Sequence, residues 1–228
     1  MMELTLTVPM LKLFFALSKP KNRLKLKQAE PKELYQPLLN VKYGQDKQQV
    51  FDMYHAPQNV KQNILFIQIH GGYYVGGNYK DNYPFASFFL KKGIDVILVE
   101  YRHNDGKKID TSLQHQDIAR CLRYISSHLT ELGLSKNCKI FLSGDSAGGH
   151  LALYAAEAMN QADLGLFYGP LKLSGVLVNC PSYDYASYQT IAGETLGMKK
   201  WYLGPNFKEP GYLVNYSDIN DRASGNTK

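Results

Sequence analysis

A chain of 228 residues, 44% hydrophobic and 20% charged, has the composition of a soluble globular protein. It is long enough for one domain with a full core and too short for two ordinary ones. The net charge of +6 is concentrated in residues 1–47, which hold nine Lys/Arg against four Asp/Glu; the nearly neutral remainder argues against a nucleic-acid-binding body.

Residues 8–17 are apolar, with Lys12 inside the run and basic residues after it. A secretory leader carries its positive charge before the apolar run, and a bilayer span needs about 20 apolar residues, so neither fits. An apolar face with a basic flank fits two other states: contact with a membrane surface through residues 8–27, or an amphipathic helix packed on its own domain. The second is adopted, and residues 1–34 are expected to form an N-terminal helix and basic linker. The three cysteines Cys121, Cys138 and Cys180 form no C-x-x-C pair, and two lie in or beside apolar runs. Buried free thiols in a reducing, cytoplasmic setting follow as an expectation.

From residue 35 the pattern becomes alternating. Residues 38–44 and 49–54 predict a strand pair around the polar turn at 45–47. Residues 63–70 and 95–101 are short, β-branched and almost continuously apolar, as strands buried on both faces are. Between them Phe85, Phe88 and Phe89 predict a helix capped near Gly93. Ile118, Cys121, Leu122, Ile125, Leu129 and Leu132 keep a 3.6-residue period that predicts a helix ending at Gly133. A strand at 140–143, a helix through 150–156 and a further buried strand at 175–180 come next. Residues 195–203 read as one short helix. Strands alternating with helices predict a three-layer α/β/α sandwich around a mostly parallel sheet.

Two motifs sit where these strands end. Gly144-Asp145-Ser146-Ala147-Gly148 bridges strand and helix with a serine at the apex. G-x-S-x-G in that context is a nucleophile elbow, and glycines flank the serine where strand and helix backbones pass too close for a Cβ. His70-Gly71-Gly72-Tyr73-Tyr74-Val75-Gly76-Gly77 follows the first buried strand. Its glycines let backbone N–H groups face a developing oxyanion, together with the Ala147 N–H after the serine.

With these motifs the chain resembles the hormone-sensitive-lipase-like and feruloyl-esterase-like branch of the α/β-hydrolase family. The resemblance runs from about Tyr43 to about Ser217. Phe51-Asp52-Met53-Tyr54, His70-Gly71-Gly72, Val99-Glu100-Tyr101-Arg102, Asp117 and the run from Gly144 to Ala152 carry it. It implies an α/β-hydrolase domain over residues 35–228 and a serine hydrolase of small-molecule carboxylic esters without cofactor or metal. Ser146 would be the nucleophile, with Gly71, Gly72 and Ala147 as oxyanion donors and His70 and Asp145 in support. Tyr73, where the lipase pattern has a third glycine, also looks like kynurenine formamidases, which keeps formamide or amide substrates open.

The family takes its triad in the order serine, acid, histidine. Only 82 residues follow Ser146, and after His150 they hold Asp163, Asp184, Asp218 and Asp221 but no histidine. Two strand–helix units are therefore expected to be missing at the C-terminus. His150 is expected to point into the core, His55, His115 and His128 to lie on surface or helix faces, and Asp117 to face a backbone group or an arginine. His103 is the one alternative base on a loop at the correct sheet edge. The rival reading is a catalytically impaired remnant or binding protein that keeps the pocket without the chemistry.

Overall fold

The computed structural model describes residues 35, 37–105, 108–160 and 173–179. The expected N-terminal helix, residues 8–27, the helix at 195–203, Cys180 and Asp184 lie outside them.

The described residues form one six-stranded sheet. Its strands are β1 (Leu38–Lys42), β2 (Val50–Tyr54), β3 (Ile64–Ile69), β4 (Asp95–Val99), β5 (Lys139–Asp145) and β6 (Leu173–Asn179). The spatial order is β1-β2-β4-β3-β5-β6, antiparallel at β1/β2 and β2/β4 and parallel from β4 onward. Three helices connect the parallel strands: α1 (Tyr83–Leu90), α2 (Thr111–Ser127) and α3 (Ala147–Asn160). Among the described residues no helix is long and apolar enough to cross a membrane.

Strand alternation sorts the core into two layers. Leu65, Ile67 and Ile69 of β3 pack with Ile97, Ile140 and Leu142 under α2 (Ile118, Leu122, Ile125) and α3 (Leu151, Ala152). Val96 and Leu98 of β4 face the other way, onto Tyr83, Ala86 and Leu90 of α1. Fully burying one such aliphatic side chain contributes about 1.5–3 kcal/mol, so the central strands are held mainly by these two layers. Because α1 follows β3 onto one face and α3 follows the adjacent β5 onto the other, the chain diverges between the C-terminal ends of β3 and β5. Open α/β sheets bind ligands in the crevice at such a switch point.

Three expectations need correction. The helix predicted to reach Gly133 ends at Ser127, where the His128 ring stacks on Tyr124 and its Nδ1 bonds the Tyr124 carbonyl oxygen at 2.8 Å. Leu129 and Leu132 keep the helical apolar pattern but sit in turns, and Gly133, at φ +64°, closes them. The strand expected to be buried on both faces, β6, pairs only with β5 among the described residues and leaves Leu177 50% exposed. His115 does not lie on a surface: it is buried against His150 and Tyr154, with ring centroids 5.3 and 3.8 Å away.

Candidate active site

β5 ends at Asp145 and α3 begins at Ala147, so Ser146 alone makes the turn, with φ at +50°. A serine held in the left-handed region is strained, and such strain persists only where the surroundings impose it. The surroundings here are backbone. A Cβ on Gly148 would overlap the Ile69 carbonyl oxygen at the end of β3, and one on Gly144 would overlap the Gly148 carbonyl oxygen. The Ser146 N–H is tied to the Asn179 carbonyl of β6 at 2.9 Å, while the Ser146 carbonyl accepts the first helical bond from His150 at 3.1 Å. The amides from Ala147 onward open α3, where first-turn N–H groups have no carbonyl partner within the helix.

The loop after β3 lies against this turn. A Cβ on Gly71 would stand 3.2 Å from Ser146 Cβ and 2.6 Å from Asp145 Oδ2. Gly72, Tyr73 and Tyr74 then run at φ +134°, +51° and +63°, and the Gly72 carbonyl accepts from both Val75 and Gly76. This left-handed run is pinned at Tyr74, whose carbonyl receives the Asn104 N–H at 2.8 Å and Gln114 Nε2 at 2.7 Å. Tyr74 is buried, whereas Tyr73 is 44% exposed. Asp145 packs between Gly71 and Gln68, whose Nε2 donates to it at 3.3 Å. Ser146, the side-chain-free Gly71-Gly72 step of the loop and a helix N-terminus therefore share one edge of the sheet. Acyl transfer needs such donors fixed in advance of charge development.

Behind the loop lies a buried charge cluster. The register Ile69↔Val99 makes the next residues of β3 and β4, His70 and Glu100, neighbours. His70 Nε2 lies 3.0 Å from Glu100 Oε1 and its Nδ1 2.7 Å from the Gly71 carbonyl oxygen. Carboxylates and carbonyls only accept, so these two contacts favour the doubly protonated ring. Burial opposes that charge, but the Glu100 carboxylate and the Gly71 carbonyl outweigh it and raise the His70 pKa. Burial alone would likewise raise the Glu100 carboxyl; His70 and His103 instead hold it down at about 2. His103 Nε2 reaches the same Oε1 at 3.0 Å, and Oε2 accepts from Asn78 Nδ2 and the Tyr79 N–H. Glu100 had no role in the sequence reading. The pairing depends on the register of β3 against β4, which local sequence pattern does not carry.

All six histidines of the sequence fall within the described residues, and each is engaged away from Ser146. His103, the alternative base, has its Nε2 3.0 Å from Glu100 Oε1. His55 pairs with Asp95 and His128 bonds Tyr124. His150 points inward as expected, and burial pushes its pKa down to about 4 and that of His115 well below the usual range. Asp117 faces an arginine, also as expected: Arg102 grips it with Nε at 2.8 Å and NH2 at 2.6 Å, and Gln49 Nε2 adds a bond at 2.6 Å.

A model of the BD-FAE family matches residues 51–180, from β2 to just past β6. Among curated proteins the chain is similar to the probable carboxylic ester hydrolase LipM of Mycobacterium tuberculosis, 32% identical over 98 residues. That match takes in 42% of this chain and 22% of LipM, so the chain corresponds to about a fifth of that relative's length. Among solved structures, esterase B from Lactobacillus rhamnosis aligns with a TM-score of 0.74 at 25% identity, over 96% of this chain and 72% of that one. A bacterial heroin esterase aligns with a TM-score of 0.69 at 21% identity, over 93% and 69% of the two chains. These likenesses make the sheet and its helices an α/β-hydrolase fold.

Proposed function

This chain belongs to the BD-FAE family, and from that premise we propose that it is a carboxylic ester hydrolase working through an acyl-enzyme on Ser146. Ser146 Oγ attacks the ester carbonyl carbon, the carbonyl oxygen takes the negative charge, and the amides of Gly71, Gly72 and Ala147 hold it. The C–O bond then breaks, the alcohol leaves with a proton, and water releases the acid from the serine. His70 and Asp145 are positioning residues: one anchors the carbonyl of Gly71, the other packs beneath it. The observation that carries the reading is the approach of Gly71 to a serine held at φ +50°. Small-molecule esters are the substrate class, supported by the probable activity of LipM. The free thiols of Cys121 and Cys138 support a cytoplasmic setting.

His70, His103, His55 and His128 contact groups other than the serine hydroxyl, and His115 and His150 are buried rings, so this reading assigns the serine proton to none of them. That observation favours a second reading for the 228-residue chain by itself, an ester-binding remnant with little turnover. Hydrolysis of p-nitrophenyl acetate separates the two. A rate that falls to background in Ser146→Ala supports the hydrolase; equal rates for the two proteins support the remnant.

A further inference from the structure

Three side chains beside the loop form a constellation of which only His70, as a positioning residue, enters the proposed ester chemistry. The ligand-capable atoms of His70, Glu100 and His103 lie within 4.8 Å of one another. We propose that these three residues form a binding site for a late first-row divalent cation of the zinc type.

The geometry is that of a coordination shell more than of a simple ion pair. Both imidazole Nε2 atoms converge on one carboxylate oxygen, Glu100 Oε1, each at 3.0 Å. Ligand atoms at about 2.0–2.1 Å from a tetrahedral Zn²⁺ are about 3.3 Å apart, close to the 3.0 Å from each ring nitrogen to Oε1, and all three ligand atoms lie within 4.8 Å of one another. The outer contacts that orient metal ligands are already in place. His70 Nδ1 donates to the Gly71 carbonyl, which leaves Nε2 as the metal-facing nitrogen. Glu100 Oε2 is held by Asn78 and Tyr79, and Oε1, which also accepts the Tyr101 N–H at 3.2 Å, is the oxygen that faces both rings. Two imidazoles and one carboxylate select zinc, cobalt or nickel over calcium and magnesium, which prefer all-oxygen shells. The side chain of His103 is 18% exposed, against 2% for His70 and 6% for Glu100, so the cation enters from the His103 side.

On binding, His70 gives up its Nε2–H proton to solvent while keeping Nδ1–H, His103 presents its Nε2 lone pair as the Nδ1–H tautomer, and two N–metal bonds and one O–metal bond form. A solvent molecule completes the fourth position. His70 immediately precedes Gly71, so occupancy tightens the loop that lies against Ser146. The proposal does not rest on the esterase reading, since its readout is binding and not turnover.

The test is titration of the full chain with Zn²⁺ alone at pH 7.5, followed by calorimetry, with zinc-edge X-ray absorption of the saturated protein. The proposal expects one cation per chain, a shell of two imidazole nitrogens and light oxygen atoms, and a rise in Tm with Zn²⁺ concentration. His103→Ala, a change at a partly exposed loop residue, should weaken binding by more than the roughly 10–100-fold typical of an outer contact. His128→Ala, at a half-exposed histidine elsewhere, should leave it unchanged. Absence of stoichiometric binding, or binding of equal strength in folded His103→Ala, overturns the proposal.

Discussion

Gly148 of α3 and Ile69 of β3 are in backbone contact so close that the glycine has no room for a side chain. The second glycine of the elbow is thus a packing requirement between β3 and α3, the elements that carry the site, since Ile69 is followed by His70, which opens the loop beside Ser146. Gly148→Ala should force β3 and α3 apart and cost about 1–3 kcal/mol, the usual penalty for overpacking. Urea unfolding measures it; an unchanged midpoint would refute the contact.

Asp117 is fully buried and accepts bonds from Arg102 and Gln49. Asp117→Ala strands a guanidinium and an amide, and breaking such a pair costs about 3–5 kcal/mol. Arg102→Lys should fail to preserve stability, because an ammonium cannot reproduce the two-pronged grip. Thermal unfolding of both variants tests the pair.

The strained loop gives opposite outcomes at adjacent tyrosines. Tyr73 sits at φ +51° and is half-exposed, so Tyr73→Gly should be neutral or stabilising by up to about 1 kcal/mol. Tyr74 has the same backbone but a buried ring, and Tyr74→Gly should cost about 3 kcal/mol or more. Unfolding curves that rank the two variants in the reverse order would contradict this account of the loop.

The elements legible in the sequence were those with strong local signals. Buried strands betrayed themselves by continuous β-branched runs, and their alternation with helices made a mostly parallel sheet legible. The end of α2 was illegible because Leu129 and Leu132 are buried in turns while keeping a helical spacing. The burial of β6 was misread because an apolar run reads the same in a strand paired on one side, as β6 is among the described residues, as in one paired on both. At the candidate site the serine, the glycines and the inward-facing His150 were readable from local pattern. The Glu100 cluster was not, since it depends on the register of β3 against β4, and His115 was misplaced because burial of a neutral histidine pair leaves no mark on periodicity.

That buried pair sets a pH dependence. His150 titrates near 4 in the folded protein and His115 also falls well below its usual range, against about 6.5 when unfolded. Below about 6.5 the unfolded chain binds the extra protons, so stability is full above that pH and is lost as pH falls toward 4. His150 by itself accounts for roughly 3 kcal/mol over that range. His150→Leu should flatten the decline in Tm between pH 6.5 and 4.5, whatever it does to Tm at pH 8. An equally steep decline in the variant would contradict the assignment.

The central claim is that Ser146 is the residue acylated by substrate. Exposing the chain to excess of a small fluorophosphonate and mapping the adduct by peptide mass spectrometry tests it most directly. The account predicts one phosphonyl group, on Ser146, and none on Ser146→Ala. Exhaustive treatment that leaves Ser146 unmodified, or labels both proteins alike, would contradict it.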